Sequence, residues 1–318
     1  MSAAGSHPGR PSIAVVLPTY NRRDRLPDVI DPLLAETDLD ELIVVVDGCA
    51  DGSIELVEGY AGRDSRVVPH LIENRGLARA RLAGAERASA DIVLTTDDDV
   101  VAAPGLVGGH ARHHVDGRRL IVIGYMPVAP RPMRPGEFPR GLYAREYERT
   151  TRRWEAAPET ILETFWAGNF SIRREDYLAL ASAVEGIDLP YHEDREFGLC
   201  CREQGLEAEF DRSLRATHEY ERSPEQFLRD ARNSAAGLLA IEGRNETGAE
   251  SSPASFPLAG LPAPARPLVR LAARHRTARS ALLLGLRCCG FLHLWRLERF
   301  AGNLAWRTEQ LRAVCELR

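Results

Sequence analysis

Runs of aliphatic and β-branched residues alternate along the first part of the chain with segments whose apolar residues recur at helical spacing. Four runs have the pattern of buried strands, at residues 13–17, 41–46, 67–72 and 91–95. Three amphipathic segments between them have the pattern of helices, at residues 25–35, 54–60 and 77–88. Strands and helices that alternate in this way are typical of an α/β fold, with a mostly parallel, Rossmann-like sheet flanked by helices.

Polar and charged residues follow each of these four strands. The segments are, in order, PTYNRR, DGCADGS, ENRGLARAR and DDD. Each segment taken alone is also typical of a turn or a helix cap. In a parallel sheet, however, ligands bind beyond the carboxyl ends of the strands, and all four segments lie at that edge. Their common placement therefore predicts a ligand site.

Three consecutive carboxylates, Asp97, Asp98 and Asp99, end the fourth strand. Adjacent carboxylates repel one another unless a cation lies between them. Mn²⁺ and Mg²⁺ accept one or two protein carboxylates and leave other positions for phosphate oxygens. A polar surface turn would explain this motif equally well by itself. At this sheet edge, it predicts a divalent metal that binds a diphosphate.

Glycine-rich phosphate-binding loops are missing from the sequence. Neither G-x-x-x-x-G-K-[ST] nor G-x-G-x-x-G occurs. The metal and arginine side chains would therefore have to bind the phosphates. Arg79 and Arg81 are the candidates, because a guanidinium is always charged and matches the geometry of phosphate oxygens.

Six segments together resemble the family 2 glycosyltransferases of the GT-A fold. They are VVLPTYNR, IVVVDGCADGS, NRGLARARLAG, IVLTTDDDV, WAGNFSIRRE and HEDREFGLCCREQG, and they cover about residues 12–220. The second segment departs from the family's paired acids, because Val46 precedes Asp47. The resemblance implies transfer of a sugar from a nucleoside-diphosphate sugar, UDP favoured over GDP, to a hydroxyl acceptor with inversion. A retaining GT-A transferase and a catalytically inactive nucleotide-sugar-binding protein remain the alternatives.

The resemblance also implies a set of residues that bind the nucleotide sugar. These are Pro18, Thr19, Tyr20, Asp47, Arg81, Asp97, Asp98, Gly168 and Asn169. The first three would line the base pocket, and Asp47 would accept hydrogen bonds from the base. Arg81 would approach the base or the phosphates, and Asp97 the ribose. Gly168 and Asn169 would lie near the sugar and the acceptor.

Two further roles follow from the same resemblance. Asp97 and Asp99 correspond to the family's D-x-D motif, with Asp99 as the metal ligand. His218 follows a strand predicted at residues 207–211 and matches a position where related families supply a second ligand. Imidazole is a suitable ligand for Mn²⁺. A structural role for this single histidine is the alternative.

Glu193 and Asp194 begin a predicted helix in the segment HEDREFGLCCREQG. Capping of the helix and compensation of its dipole would also explain the two acids. The resemblance implies that one of them is the catalytic base, which takes the proton of the acceptor hydroxyl. We assign this role to Asp194, with Glu193 as the second candidate or as an acceptor-binding residue. His192, His113 and His114 are predicted to be structural.

Composition limits the remaining possibilities. A net charge of −5, with 44% hydrophobic and 27% charged residues, fits a globular protein with no nucleic-acid partner. The six cysteines form no C-x-x-C pair and suggest reduced thiols. The segment MSAAGSHPGR lacks the apolar stretch of a signal peptide, and no run reaches the length of a membrane span. We therefore expect a cytoplasmic protein.

The chain is predicted to divide into four parts. They are a disordered tail (1–11), the catalytic domain (12–242), a linker (243–267) and a basic helical extension (268–318). From residue 266 onward there are eleven Arg and three Glu, a net charge of +8, around the apolar run ALLLGLRCCGFLHLWRL. Such a pattern suits a peripheral helix on the inner membrane face. Packing on the catalytic domain or on another subunit, in an oligomer, is the alternative. The proline-rich segment 128–141 is predicted to be a flexible loop over the active site.

Overall fold

The computed structural model describes residues 10–189, 191–244 and 256–317. Most of the predicted N-terminal tail and the middle of the predicted linker lie outside these residues. Every statement about the structure below concerns the described residues.

Eight strands form one mixed sheet. Their bounds are β1 (Ile13–Thr19), β2 (Glu41–Asp47), β3 (Val67–Ile72), β4 (Ile92–Thr96), β5 (Val100–Ala102), β6 (Leu120–Tyr125), β7 (Asn169–Arg173) and β8 (Glu207–His218). Their spatial order is β3-β2-β1-β4-β7-β6-β8-β5. The first four strands are parallel, as predicted. β7 is antiparallel to both β4 and β6, β8 runs parallel to β6, and β5 runs antiparallel to β8.

Twelve α-helices accompany the sheet in the described part of the chain. The first six are α1 (Leu26–Leu34), α2 (Ser53–Ala61), α3 (Leu77–Arg87), α4 (Leu106–Arg112), α5 (Phe138–Ala156) and α6 (Arg174–Ala179). The others are α7 (Ala181–Glu185), α8 (Glu193–Glu203), α9 (Pro224–Arg244), α10 (Ala265–Arg274), α11 (Arg276–Phe291) and α12 (Trp295–Glu316). The three helices predicted in the first hundred residues are α1, α2 and α3, each within two residues of the expected bounds.

The centre of the sheet is apolar on both faces. All seven residues of β1 and all five residues of β4 are buried. Helix α3 lies close to this centre because it carries Gly84, where a Cβ atom would be 2.3 Å from Cγ1 of Val16. A side chain at this position would push α3 away from β1. The close approach places Arg81 of the same helix in the protein interior.

The chain divides into two compact units. Unit 1 contains Met1–Ala129, Arg149–Ile187 and Asp194–Glu219, and unit 2 contains Pro130–Glu148, Asp188–Glu193 and Tyr220–Arg318. Unit 1 contains the whole sheet. Unit 2 is helical, and it includes α9 to α12.

This division corrects the predicted boundary between a domain ending at 242 and an extension starting at 268. Helix α9 packs on α12, and the ring centroids of Phe227 and Trp306 are 4.5 Å apart. Ala235 of α9 is buried against Ala313 and Val314 of α12. The reason is that α9 has an apolar face of its own, which it buries on the C-terminal helices. Helix α9 therefore belongs to the C-terminal unit.

The predicted linker and extension also differ from the structure. Residues 256–258 form a 3₁₀ turn. Leu261 and Ala265 are buried in a cluster with Val269 and Leu304, so the C-terminal part of the predicted linker is folded. The region after it contains three helices, and α10 begins at Ala265, inside the predicted linker. They are separated at His275 and at residues 292–294.

The proline-rich segment 128–141 is held by several hydrogen bonds. Nη2 of Arg140 donates to the carbonyl oxygens of Arg131 and Pro132, and the backbone N–H of Gly136 donates to Oε1 of Glu298 at 2.9 Å. The end of the segment forms the first turn of α5. A role as an active-site lid stays a prediction.

Among the described residues, no helix combines the length and the apolar character that crossing a bilayer requires. The predicted cytoplasmic location stays a prediction.

Candidate functional site

The three aspartates lie in the turn that links β4 to β5. The backbone N–H of Val100 donates to the carbonyl oxygen of Asp97 at 3.0 Å, which closes the turn. A tight turn directs successive side chains differently, and each carboxylate has its own partner. This separation lowers the repulsion that three adjacent charges would otherwise cause.

Asp99 lies beside His218 because β5 pairs with the end of β8. Val100 is opposite His218 in this pairing, and the backbone N–H of Glu219 donates to the carbonyl oxygen of Asp99 at 2.8 Å. Nε2 of His218 is 3.4 Å from Oδ1 of Asp99, and both side chains are largely buried. The structure thus brings together the two predicted metal ligands from distant parts of the sequence.

A carboxylate in the turn before β5 and an imidazole at the end of β8 fit a Mn²⁺ or Mg²⁺ ion that keeps positions for other ligands. Among the described residues, no group of three or more His, Cys, Asp and Glu side chains could hold a metal ion. The protein would therefore supply only part of the coordination shell. Phosphate oxygens of a ligand and water would have to supply the rest.

Arg22 lies on the other side of Asp99, where Nη2 is 3.8 Å from Oδ2 of the carboxylate. No role was predicted for this residue. Its signal was the first of the two arginines after Asn21 in PTYNRR, which are also typical of a helix start. The structure adds a positive charge to the edge of the candidate metal site.

Asp98 points toward the end of β1. The hydroxyl of Thr19 donates to Oδ2 of Asp98 at 2.9 Å. Burial raises the pKa of Asp98 to about 6, against the opposing effect of Arg22. Two residues predicted to bind the nucleotide are therefore in direct contact, one at the end of β1 and the other in the turn after β4.

Arg81 joins Asp97 to Asp194 in the interior of unit 1. Its Nη2 donates to Oδ1 of Asp97 at 2.6 Å, and its Nη1 donates to Oδ1 of Asp194 at 3.0 Å. Only 4% of Arg81 is exposed. Burial opposes the charged guanidinium, but the two carboxylates outweigh it and raise the pKa of Arg81. Burial also raises the pKa of Asp97, although Arg81 lowers it.

This arrangement corrects the predicted role of Arg81 in binding the base or phosphates. Both terminal nitrogens of the guanidinium are directed at protein carboxylates, and the side chain is too buried to serve as an exposed phosphate ligand. Nη2 of Arg79 donates to the carbonyl oxygen of Glu185 at 2.9 Å, and contact of this side chain with phosphate stays a prediction. Arg81 is instead a positioning residue for the two aspartates.

The second oxygen of Asp194 is also held. Its Oδ2 accepts a hydrogen bond from the backbone N–H of Ala167 at 3.0 Å. Asp194 is the second residue of α8, whereas Glu193 is the first and belongs to unit 2. Of the two predicted acids, Asp194 is the one that shares the guanidinium of Arg81 with Asp97 in the turn after β4.

Gly168 lies beside Asp97. Its position near the sugar and the acceptor stays a prediction. Its φ angle is +105°, a conformation that residues with a side chain rarely adopt. A Cβ atom at this position would be 2.8 Å from Oδ2 of Asp97. Glycine therefore leaves this face of the carboxylate open.

Asn169 requires a correction, because its side chain is turned into the core. Its Oδ1 is 3.0 Å from Nε2 of His110, and its Nδ2 donates to the carbonyl oxygen of Leu214 at 3.1 Å. Asn169 is completely buried, so the predicted contact with sugar or acceptor does not fit.

Ser171 extends this buried polar network. Its hydroxyl is 2.8 Å from Nδ1 of His110 and 2.8 Å from Nε2 of His114. Burial lowers the pKa of His110 to about 3 and that of His114 to about 4. The two rings are therefore neutral at physiological pH. His114 has the structural role predicted for it.

Asp47 is buried, and it fastens the start of α3 to the end of β2. Its Oδ1 accepts a hydrogen bond from the backbone N–H of Arg75 at 2.8 Å, and its Oδ2 accepts one from Gly76 at 3.1 Å. Direct contact of Asp47 with a nucleobase stays a prediction. Pro18 is buried at the end of β1, whereas Tyr20 has 52% of its surface exposed and is available to line a pocket.

Comparison with protein-family models finds one match. The model described as "Glycosyl transferase family 2" matches residues 14–177, which include β1 to β7 and the three aspartates. The match covers just over half of the 318 residues of the chain.

Curated relatives resemble shorter parts of the chain. An uncharacterized glycosyltransferase, YfnE of Bacillus subtilis (strain 168), is 32% identical over 113 residues, 35% of this chain and 29% of the relative. The undecaprenyl-phosphate 4-deoxy-4-formamido-L-arabinose transferase of Yersinia pestis (strain Pestoides F) is 35% identical over 98 residues, 29% of this chain and 30% of the relative. The chain thus spans about a third of the length of these relatives.

Solved structures resemble a larger part. A mannosyltransferase from Pyrobaculum calidifontis, PcManGT, in complex with GDP-Man and Mn²⁺, has a TM-score of 0.62 at 19% identity, covering 94% of this chain and 86% of that one. The structure of GalNAc-T7 with UDP, GalNAc and Mn²⁺ has a TM-score of 0.52 at 16% identity, covering 67% and 44%. At this identity the likeness is one of fold, and it confirms the predicted GT-A architecture.

Proposed function

The chain belongs to glycosyl transferase family 2, and from this premise we propose that it transfers a sugar from a nucleoside-diphosphate sugar to a hydroxyl acceptor with inversion. The observation that carries the proposal is that the guanidinium of Arg81 forms salt bridges with both Asp97 and Asp194. It joins the candidate base to the turn that carries the candidate metal ligand, Asp99.

The donor nucleotide would bind at the ends of β1 and β4. Tyr20 offers an exposed ring for a base, and Thr19 and Asp98 are already hydrogen-bonded beside it. UDP is the donor nucleotide that we favour, and GDP is the alternative. The solved structures named above bind GDP-Man and UDP, which supports a nucleotide-sugar donor without choosing between them.

A divalent metal, Mn²⁺ or Mg²⁺, would be held by Asp99 and His218. When bound, it supplies positive charge that neutralises the departing diphosphate. The Mn²⁺ in the two solved structures supports this proposal. Arg22 would add a second positive charge at the same edge, because its guanidinium lies 3.8 Å from Asp99.

Asp194 would act as the general base. The acceptor oxygen forms a bond to the anomeric carbon as the bond from that carbon to the diphosphate breaks, and the acceptor proton passes to the carboxylate. Arg81 and the backbone N–H of Ala167 orient this carboxylate through both oxygens. Each oxygen of a carboxylate has two lone pairs, so acceptance of a proton remains possible.

Isothermal titration calorimetry of UDP and GDP, with and without Mn²⁺, tests the donor and metal assignments. Asp99→Asn keeps the size of the side chain and removes its charge. It should weaken metal-dependent nucleotide binding by at least about tenfold, which corresponds to the loss of one charged ligand. His218→Gln should weaken it in the same direction.

The matched control is Asp116→Asn, which removes the charge of a half-exposed carboxylate that is not part of the proposed metal site. Its nucleotide affinity should equal that of the wild type. Unchanged affinity of Asp99→Asn in the presence of Mn²⁺ would show that the metal site is elsewhere. Absence of binding of either nucleotide to the wild-type protein would contradict the proposed donor class.

A further inference from the structure

The connection between α11 and α12 carries apolar side chains on the outside of unit 2. We call this group the apolar tip, and its members are Leu284, Phe291, Leu292, Leu294 and Leu297. Phe291 has 80% of its surface exposed, the largest exposed fraction among the exposed large hydrophobic residues of the described chain. All four residues from 291 to 294 are exposed, so the turn between the two helices is apolar and open to its surroundings.

The fold of unit 2 covers these side chains only in part, because each keeps between 44% and 80% of its surface exposed. Helix α11 buries a different face, where Leu286 joins a core cluster with Phe138 and Phe227, and Leu282 and Leu283 pack against it. Leu284 and Phe291 project from the opposite side of the same helix. Helix α11 is therefore apolar on two faces, and only one of them is covered within the unit.

The charge along this part of the chain has a single sign. Residues 251–297 contain seven Arg and no Asp or Glu. Arg287 and Arg296 are exposed and lie within one helical turn of the tip residues. The next acid, Glu298, is buried, and its Oε1 accepts a hydrogen bond from the backbone N–H of Gly136. The tip is thus bordered along the chain by arginine alone.

We propose that the apolar tip inserts into the interfacial region of a bilayer that contains anionic lipids, with Arg287 and Arg296 bound to the headgroup phosphates. Exposed Leu and Phe gain free energy by entering the boundary between headgroups and acyl chains. Arginine binds phosphate oxygens in a planar fork and is attracted by the negative potential of an anionic surface. Trp295 and His293 lie in the same turn, with ring centroids 5.0 Å apart, and Trp favours the headgroup level.

Charge separates this proposal from self-association. A second copy seated on the tip would bring two arginine-rich segments together, each with a net charge of +7 over residues 251–297. Like charges of that size repel across an interface. An anionic lipid surface has the opposite sign, and it offers an apolar layer beneath its charges.

Co-sedimentation with lipid vesicles tests the apolar part of the proposal. The full chain should bind vesicles of equal parts phosphatidylglycerol and phosphatidylcholine, and should bind pure phosphatidylcholine far less. The double variant Phe291→Ser with Leu292→Ser should lower the partition coefficient by at least about tenfold, because it removes two inserted side chains. Leu71→Ser changes a similarly exposed leucine of β3 and should leave binding unchanged.

A second pair of variants tests the charges. Arg287→Gln with Arg296→Gln should weaken binding to the anionic vesicles and reduce its dependence on salt. Arg145→Gln with Arg229→Gln removes the same net charge from exposed positions of α5 and α9 and should have little effect. Hydrogen exchange on vesicles should slow at residues 287–297 in the wild type.

Three results would overturn the proposal. One is a wild-type protein that does not bind anionic vesicles at low salt. Another is equal loss of binding in the control variants, which would indicate attraction by net charge alone. The third is a concentration-dependent dimer that dissociates in the Phe291→Ser, Leu292→Ser variant, which would make the tip an interface between copies. Circular dichroism of each variant confirms that the helices are intact.

Discussion

Replacement of Arg81 by Met should leave Asp97 and Asp194 in the interior of unit 1 without their shared counter-charge. Methionine keeps the apolar stem of the side chain and removes two charge-assisted hydrogen bonds, of 2.6 Å and 3.0 Å. Removal of one partner from a buried ion pair typically costs about 3–5 kcal/mol. The two carboxylates keep 26% and 29% of their side-chain surface exposed, so water screens part of the penalty. We therefore expect a loss of about 3 kcal/mol in the free energy of unfolding of unit 1 at neutral pH.

The loss of stability caused by Arg81→Met should become smaller when the pH falls. Arg81 lowers the pKa of Asp97, and its removal leaves burial and the neighbouring acids to raise that pKa further. A raised pKa means that the folded variant takes up a proton at a higher pH than the unfolded chain does. Acidification through this pKa then stabilises the folded variant, by about 1.4 kcal/mol per pH unit and carboxyl. The difference between wild type and variant should be largest above this pKa.

Urea unfolding followed by circular dichroism measures both effects. Arg81→Lys is the second variant, because an ammonium keeps the charge but cannot reach both carboxylates with a planar fork. It should lose about 1.5 kcal/mol, roughly one charged hydrogen bond. The control is Arg118→Met, whose ion pairs lie on the surface, and its unfolding midpoint should stay close to that of the wild type. Wild-type stability and wild-type sugar transfer in Arg81→Met would refute the reasoning.

Two further measurements test the base and the buried histidines. Asp194→Asn should lower the rate of sugar transfer by about 10²–10⁴-fold and leave the affinity for UDP unchanged. If Glu193→Gln is the inactive variant instead, Glu193 is the base and our assignment is wrong. NMR of the anomeric configuration of the product tests inversion. Burial lowers the pKa of His110 to about 3, so on acidification below the usual value of about 6.5 the unfolded chain is protonated first and stability is lost. Between about pH 7 and about pH 5, the free energy of unfolding of His110→Gln should therefore fall by about 2 kcal/mol less than that of the wild type. His275→Gln changes an exposed histidine and should behave like the wild type. If His110→Gln loses stability with pH as steeply as the wild type does, the lowered pKa of His110 is contradicted.

The parallel half of the sheet could be predicted because each of its strands is recognisable from its own short stretch of sequence. β1 to β4 are short aliphatic runs that end in turn residues, and each was placed within two residues of its observed bounds. β6 and β7 were not predicted as strands. The antiparallel insertion of β7 between β4 and β6 depends on pairing with strands far along the chain, which no local pattern encodes.

β8 shows a second limit of local patterns. The prediction ended this strand at residue 211, but it continues to His218. Its second half contains Asp211, Arg212, Ser213 and Arg215, which resemble a loop. The pairing with β6 shifts register here, because Gly124 is opposite Asp211 whereas Tyr125 is opposite Arg215. The strand is therefore stabilised by its neighbours.

The residues able to bind a metal or accept a proton could be predicted from the sequence, whereas the direction in which each side chain points could not. Asp97, Asp99, Asp194 and His218 were selected by type and motif, and the structure brings them to one region of unit 1. Asn169 matched a motif equally well, but the strand turns its amide toward His110. Successive side chains of a strand point to opposite faces of the sheet, so a shift of one residue decides whether an amide faces a ligand or the core.

The pairing of β5 with β8 has a consequence for the order in which the molecule becomes competent. Asp99 and His218 are 119 positions apart along the chain, so the loop between them must close before the two side chains can meet. Closure of a long loop costs conformational entropy, and such non-local contacts form late in folding. During synthesis, the strands β1 to β4 leave the ribosome long before β8. A growing chain can thus complete its parallel strands while it still lacks His218, one of the two proposed metal ligands. If the proposed ion binds, it would stabilise only a chain whose sheet is complete.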